Sequence, residues 1–205
     1  MDTIDELNRK CKDKSVHEIL SALAIEYKDS IVFSTSFGIE DQVITDMIFS
    51  KNIPATLFTI DTGRLFPEIF NVFNRTLDKY QKPIKVYFPN HEPVETLLTK
   101  KGPFSFYQSV ENRLECCQIR KIEPLKRALF GNKIWITGLR AEQSPYRNEL
   151  MQFEFDQKNN LIKYHPLLHW TGEQVRDYIN QHNIPYNVLH DRGFVSIGCA
   201  PCTRA

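Results

Sequence analysis

The chain carries almost no excess charge of either sign. Its 205 residues hold 26 Lys and Arg against 25 Asp and Glu, for a formal net charge of +1. No general polyanion-binding field follows from that balance, so an anion site has to be local and nucleic acid is not the expected main partner. No stretch approaches the ~20 consecutive apolar residues of a membrane span. The opening MDTIDELNRKCKDKSVHEIL has no apolar run behind positive charge and does not read as a secretory signal. A cytoplasmic protein without a membrane segment is the expectation. Repeats, low-complexity tracts and linkers are also lacking, and 41% hydrophobic residues suffice for one core, so residues 1–205 read as a single domain.

Cysteine is scarce as well, and the five residues are unevenly placed: Cys11, Cys116, Cys117, Cys199 and Cys202. Neighbours such as Cys116 and Cys117 do not readily bridge each other, because a disulfide needs converging side chains. In a reducing compartment such thiols are more often metal ligands or catalytic groups than structural disulfides. Cys199-Ala-Pro-Cys202 has the two-residue gap that turns both sulfurs to one metal, and with Cys116 and Cys117 it makes a set of four. Tetrahedral zinc and a [4Fe–4S] cluster both accept four thiolates. The adjacent pair is awkward for one ion and easier on a cubane, whose separate irons can each take one neighbour; a redox dithiol is the third reading. Arg120 and Lys121 would offset the negative charge of a thiolate-ligated group. Cys11, isolated in a charged segment, reads as a spare and partly exposed thiol.

Along the chain, short β-branched or aromatic runs alternate with helical periodicity. Ile31 to Phe33 is a strand, Ser34 to Gly38 a small polar turn, and Ile39, Val43, Ile44, Met47 and Ile48 recur at helical spacing. ATLFTID, IKVYFP and KIWITGL are further strands, separated by the amphipathic RLFPEIFNVFNRTLDKYQ and by CQIRKIEPLKRALF, a helix in which Pro124 marks a start or a kink. LMQFEFD and LIKYHPL flank a polar QKNN as a hairpin, and Thr171 caps the helix TGEQVRDYINQHN. Alternation of this kind predicts an α/β fold with a mostly parallel sheet flanked by helices. Ligands then bind beyond the carboxyl ends of the strands, where the loops Ser34–Gly38, Asp61–Arg64 and Gly138–Arg147 converge.

Five segments in order, SFGIEDQV, DTGRLFPE, CCQIRKIEPL, TGLRAEQS and PYNVLHDRGFVSIGCAPC, resemble the assimilatory adenylyl-sulfate reductases of the adenylyl-sulfate and phosphoadenylyl-sulfate reductase family. The resemblance implies an adenine nucleotide α-hydrolase-like fold. It also implies a [4Fe–4S] cluster on Cys116, Cys117, Cys199 and Cys202. The implied reaction is reduction of adenosine 5′-phosphosulfate to sulfite and AMP with thioredoxin or glutaredoxin as electron donor. A homo-oligomer is compatible with it.

Substrate-binding residues expected on this basis are Ser34, Thr35, Ser36 and Gly38, a turn at a helix N-terminus suited to an anion; Asp61, Thr62, Gly63 and Arg64, to frame adenosine; and Gly138, Arg140, Gln143, Ser144 and Arg147, two of them with forked donors matched to phosphate oxygens. Lys121, one helical turn after Cys117, is the residue expected to couple cluster and substrate. His190 and Asp191 read as structural, and Phe104, Phe106 and Tyr107 as core or interface aromatics.

The family's nucleophile lies in a C-terminal Glu-Cys-Gly-Leu-His motif that has no match among these residues. The chain is therefore expected to bind substrate without attacking it. Alternatives are a reductase using the 3′-phosphorylated nucleotide and a metal-stabilised nucleotide-binding module without turnover. An RNA-directed sulfur-transfer ATPase is disfavoured, because the Ser-Gly-Gly-x-Asp-Ser pyrophosphate loop is replaced by Ser36-Phe37-Gly38-Ile39-Glu40-Asp41.

Overall fold

A capping box opens the second helix: Ser15 Oγ accepts from the Glu18 N–H at 3.3 Å, and the Glu18 carboxylate accepts from the Ser15 N–H at 2.8 Å. The computed structural model describes residues 4–144 and 150–205. Helices α1 (Ile4–Cys11) and α2 (Val16–Glu26) precede strand β1 (Ile31–Ser34), helix α3 (Ile39–Ser50), β2 (Thr56–Ile60) and α4 (Pro67–Tyr80). Then come β3 (Lys85–Tyr87), α5 (His91–Lys101), α6 (Val110–Cys117), α7 (Glu123–Leu129) and β4 (Ile134–Ile136). The hairpin β5 (Phe153–Asp156) and β6 (Leu161–Tyr164) and helix α8 (Gly172–Gln181) follow.

The strands form one six-stranded sheet in the order β3-β2-β1-β4-β6-β5. Every pairing is parallel except that of β5 with β6. The hairpin thus extends the parallel sheet, with β6 taking a parallel place beside β4. Alternation sorts the side chains by face. Phe33, Ile134 and Ile136 belong to the larger core with residues of α2, α3 and α8, whereas Val32 and Phe58 pack with Ala128 and Leu129 of α7.

One expectation is corrected. Cys11 is buried, at 8% exposure. Leu7 and Cys11 lie four residues apart and share the core-facing side of α1, while the lysines that made the segment look solvated point outward. Pro124 marks a helix start, one of the two readings given it: it sits in the first turn of α7, behind a π-helical turn over Gln118–Ile122. Proline has no N–H for the carbonyl four residues earlier, and the wider turn before it accommodates that loss. Arg120 and Lys121 both fall in this widened turn. Among the described residues no helix is long and apolar enough to cross a membrane.

Candidate functional site

A cavity of about 500 Å³ opens beyond the carboxyl ends of β1, β2 and β4. Ser34, Thr35, Ser36 and Gly38 line it from the β1 loop, Thr62 from the β2 loop, and Gly138 and Gln143 from the β4 loop. Lys121 of the π-helical turn and Cys199 of the C-terminal loop complete one wall. Much of the remaining lining is apolar, including Phe58, Leu125, Trp135 and Ile197.

The β1 loop is organised from within. Phe37 takes a left-handed conformation at φ 60°, and its N–H donates to Thr35 Oγ1 at 3.0 Å. Asp41 reaches back from α3, and its carboxylate accepts from the Ser36 N–H at 2.6 Å and the Ser36 hydroxyl at 2.7 Å. Gly138 makes room for it: a Cβ there would lie 2.2 Å from Asp41 Oδ1. Burial pushes the Asp41 carboxyl up to about 6, against the downward pull of the Ser36 donors. The Ile39 N–H donates to His190 Nε2 at 3.1 Å, and His190 Nδ1 lies 2.9 Å from the Phe194 carbonyl. These partners fix the neutral Nδ1–H tautomer, and burial holds its pKa below the ordinary histidine value. Three donors at the turn expected to cradle an anion, the N–H groups of Ser36, Phe37 and Ile39, thus already serve internal acceptors.

The other expected residues divide. Asp61 Oδ1 accepts from the Gly63 N–H at 2.8 Å, which shapes the β2 loop. Gly63, at φ +71°, leaves space for the Arg120 guanidinium, 3.2 Å from where its Cβ would be. Arg64 turns away from the cavity, donating to the Pro103 carbonyl at 2.5 Å and stacking over Phe106 at 4.8 Å. Arg140 is 8% exposed and is held by Glu40 at 2.9 Å and Glu142 at 2.5 Å, with Gln143 also donating to Glu40 at 2.9 Å. Its fork therefore anchors the β4 loop. Ser144 is not among the cavity-lining residues. Arg147 lies outside the described residues. Glu40, Asp41, Trp135 and Thr137, absent from the expected set, also line the cavity, as does His190, whose hydrogen bonds to Ile39 and Phe194 fit the structural reading given it.

Cys199 of the second cysteine pair lies on the cavity wall and close enough to Cys116 of the first to act on its charge. The C-terminal loop is clamped to the β2 loop by the Ala200 N–H, which donates to the Arg64 carbonyl at 2.8 Å. It is clamped to the segment before α6 by the Tyr107 hydroxyl, 2.5 Å from the Pro201 carbonyl. Thr62 Oγ1 lies 3.2 Å from Cys199 Sγ. Burial raises the Cys116 thiol pKa, Arg120 and Arg64 pull it down, and Cys117 and Cys199 are near enough to raise it in turn. Arg120 also donates to the Thr62 carbonyl at 2.7 Å. Lys121 Nζ comes within 3.8 Å of the Cβ position at Gly198, between thiol loop and cavity. Among the described residues no group of three or more His, Cys, Asp or Glu side chains is set to hold a single metal ion. Of the flanking aromatics, Phe106 is buried, and Phe104 and Tyr107 are exposed.

Residues 30–205 match the phosphoadenosine phosphosulfate reductase domain family. The chain is 45% identical, over 95% of its length and 75% of the relative's, to an adenosine 5′-phosphosulfate reductase of Allochromatium vinosum. The crystal structure of a phosphoadenylyl-sulfate reductase from Candida auris in complex with phosphate superposes with a TM-score of 0.83 at 32% identity, covering 98% of this chain and 96% of that one. A Candida glabrata FMN adenylyltransferase shares the fold, with a TM-score of 0.61 at 18% identity over 98% of this chain and 66% of that one.

Proposed function

The chain belongs to the phosphoadenosine phosphosulfate reductase domain family, and from that premise we propose that it serves the reduction of adenosine 5′-phosphosulfate to sulfite and AMP. The observation that carries this reading is the adjacency of two features. A largely apolar cavity of about 500 Å³, within the range of nucleotide-sized sites, shares a wall with the loop of the second cysteine pair, and Lys121 stands at the junction. An adenosine in the apolar part directs its anionic end toward that cation.

Four thiols and no carboxylate or imidazole make a soft donor set, which suits a thiolate-ligated cluster. Cys116, Cys117, Cys199 and Cys202 would hold a [4Fe–4S] cluster. When bound, it supplies a redox-capable, thiolate-ligated centre next to the nucleotide's anionic end. Arg120 and Arg64 balance the charge of the thiolates, and the clamps on Ala200 and Pro201 hold the Cys199–Cys202 loop to the β2 loop and to the segment before α6.

In the reaction proposed, a thiolate attacks the sulfate sulfur, the bond from sulfur to the phosphate oxygen breaks, and AMP leaves with the electron pair. A dithiol donor of the thioredoxin class then attacks the resulting S-sulfocysteine. Sulfite departs and the donor ends as a disulfide, having supplied both electrons. Cys11, buried in the core with its pKa raised by burial, is not suited to the first step. These residues therefore provide binding, and the attacking thiol is not among them. The 45% identity to an adenosine 5′-phosphosulfate reductase supports adenosine 5′-phosphosulfate over its 3′-phosphorylated form.

Calorimetric titration with both nucleotides, beside a single-turnover assay with sulfur-labelled substrate, tests this reading. The expected outcome is tighter binding of adenosine 5′-phosphosulfate and no labelled protein. Tighter binding of the 3′-phosphorylated form, or label on Cys11, would contradict it.

A further inference from the structure

Three side chains form a row across the carboxyl end of the sheet. β1 and β4 pair with Phe33 beside Ile136, and β4 and β6 pair with Ile136 beside Tyr164. The next residues on these strands are Ser34, Thr137 and His165. Glu154 of β5 faces Lys163 and so lies diagonal to His165.

Hydrogen bonds give this row a polarity. His165 is fully buried, with Nε2 3.2 Å from a Glu154 carboxylate oxygen and Nδ1 2.7 Å from Thr137 Oγ1. A carboxylate only accepts, so the ring proton sits on Nε2. The ring is fully buried, and loss of solvent disfavours the charge that a second ring proton would bring. Nδ1 therefore accepts the Thr137 hydroxyl proton, and the Thr137 oxygen offers lone pairs to the cavity it lines. Ser34 is set the opposite way. The indole Nε1–H of Trp135 donates to Ser34 Oγ at 2.8 Å, which leaves the serine's own proton for an acceptor in the cavity.

An acceptor and a donor thus stand on neighbouring strands, about 5 Å apart by the usual spacing of a sheet. Adenine presents the complement, an exocyclic amine donor beside a ring-nitrogen acceptor. A 6-oxopurine puts an acceptor where the amine would be.

We propose that Glu154 and His165 are positioning residues that fix Thr137 as an acceptor beside the Ser34 donor, so that this wall selects a 6-aminopurine over a 6-oxopurine nucleotide. The inference rests on the reading of the cavity as an adenosine site.

The test is calorimetric titration of AMP and IMP into the wild-type protein and into Thr137→Val, His165→Phe and His165→Asn. One hydrogen bond is worth about tenfold in affinity. The preference for AMP should therefore fall by about tenfold in Thr137→Val and His165→Phe. It should survive in His165→Asn, whose amide oxygen can stand in for Nδ1. Nitrogen-15 NMR of the wild-type imidazole gives a reading independent of whether any variant folds, and a neutral ring protonated at Nε2 is expected. A ring protonated at Nδ1, or a preference unchanged in both Thr137→Val and His165→Phe, overturns the proposal. A wild-type protein that binds neither nucleotide overturns the adenosine reading itself, whatever the tautomer.

Discussion

Asp41 should make the protein less stable as pH rises, opposite to the usual behaviour of a paired carboxylate. Its carboxyl is pushed from an ordinary 3.8 up to about 6, chiefly by burial. Between those values the folded chain keeps a proton that the unfolded chain has released. Stability contributed by this group is therefore full below pH 3.8, falls through the window and stays low above about 6. An interval of about two pH units, at 1.36 kcal/mol each, gives about 3 kcal/mol. Other carboxylates obscure the effect in the wild type alone, because Glu142 and Asp156 are held below their usual range and lose stability as pH falls. Asp41→Asn isolates it, since the amide cannot ionise. Urea unfolding of both proteins from pH 3.5 to 7.5 should show the wild type losing about 3 kcal/mol relative to Asp41→Asn as pH rises. A difference that stays flat, or that changes the other way, would refute the idea that Asp41 is ionised at a desolvation cost beneath Ser36.

Three other substitutions or treatments follow from the same geometry. Gly138→Ala would put a Cβ 2.2 Å from Asp41 Oδ1, and overpacking of that kind costs about 1–3 kcal/mol, measurable by urea unfolding, with weaker AMP binding as the β1 loop shifts. Arg140→Ala leaves Glu40 buried without its ion pair and should cost about 3–5 kcal/mol in the same assay, while AMP affinity of the folded protein changes much less, because the guanidinium faces Glu40 and Glu142. In metal-free protein a thiol reagent should modify exposed Cys202 at once and buried Cys11 only on unfolding, as followed by peptide mass spectrometry.

The strands and their parallel order could be read because each is a short apolar run bounded by turn residues, and because both sulfur pairs are marked by their spacing. What escaped was polarity inside the molecule. The polar residues of α3 look like a solvated face, yet every position from Ile39 to Phe49 is buried. Gln42 donates to Thr76 at 2.8 Å and to the Pro185 carbonyl at 2.7 Å, and Asp46 accepts from Tyr80 at 2.7 Å and Tyr178 at 3.0 Å. Those partners come from α4, α8 and the C-terminal segment, which local periodicity cannot pair. The ion pair of Arg140 is hidden for the same reason. A loop arginine reads as free for phosphate until Glu40, one hundred residues earlier, is seen beside it. The hairpin's place next to β4, which creates the row of Ser34, Thr137 and His165, likewise depends on topology rather than on any local signal.

The central claim is that two remote thiol pairs enclose an iron–sulfur cluster beside a nucleotide cavity. Iron and acid-labile sulfide, assayed on anaerobically purified protein, test it most directly. The account predicts both elements in the equal amounts of a [4Fe–4S] centre, lost when Cys117 or Cys199 is replaced by serine. A protein that carries zinc alone, or neither iron nor sulfide, would contradict it.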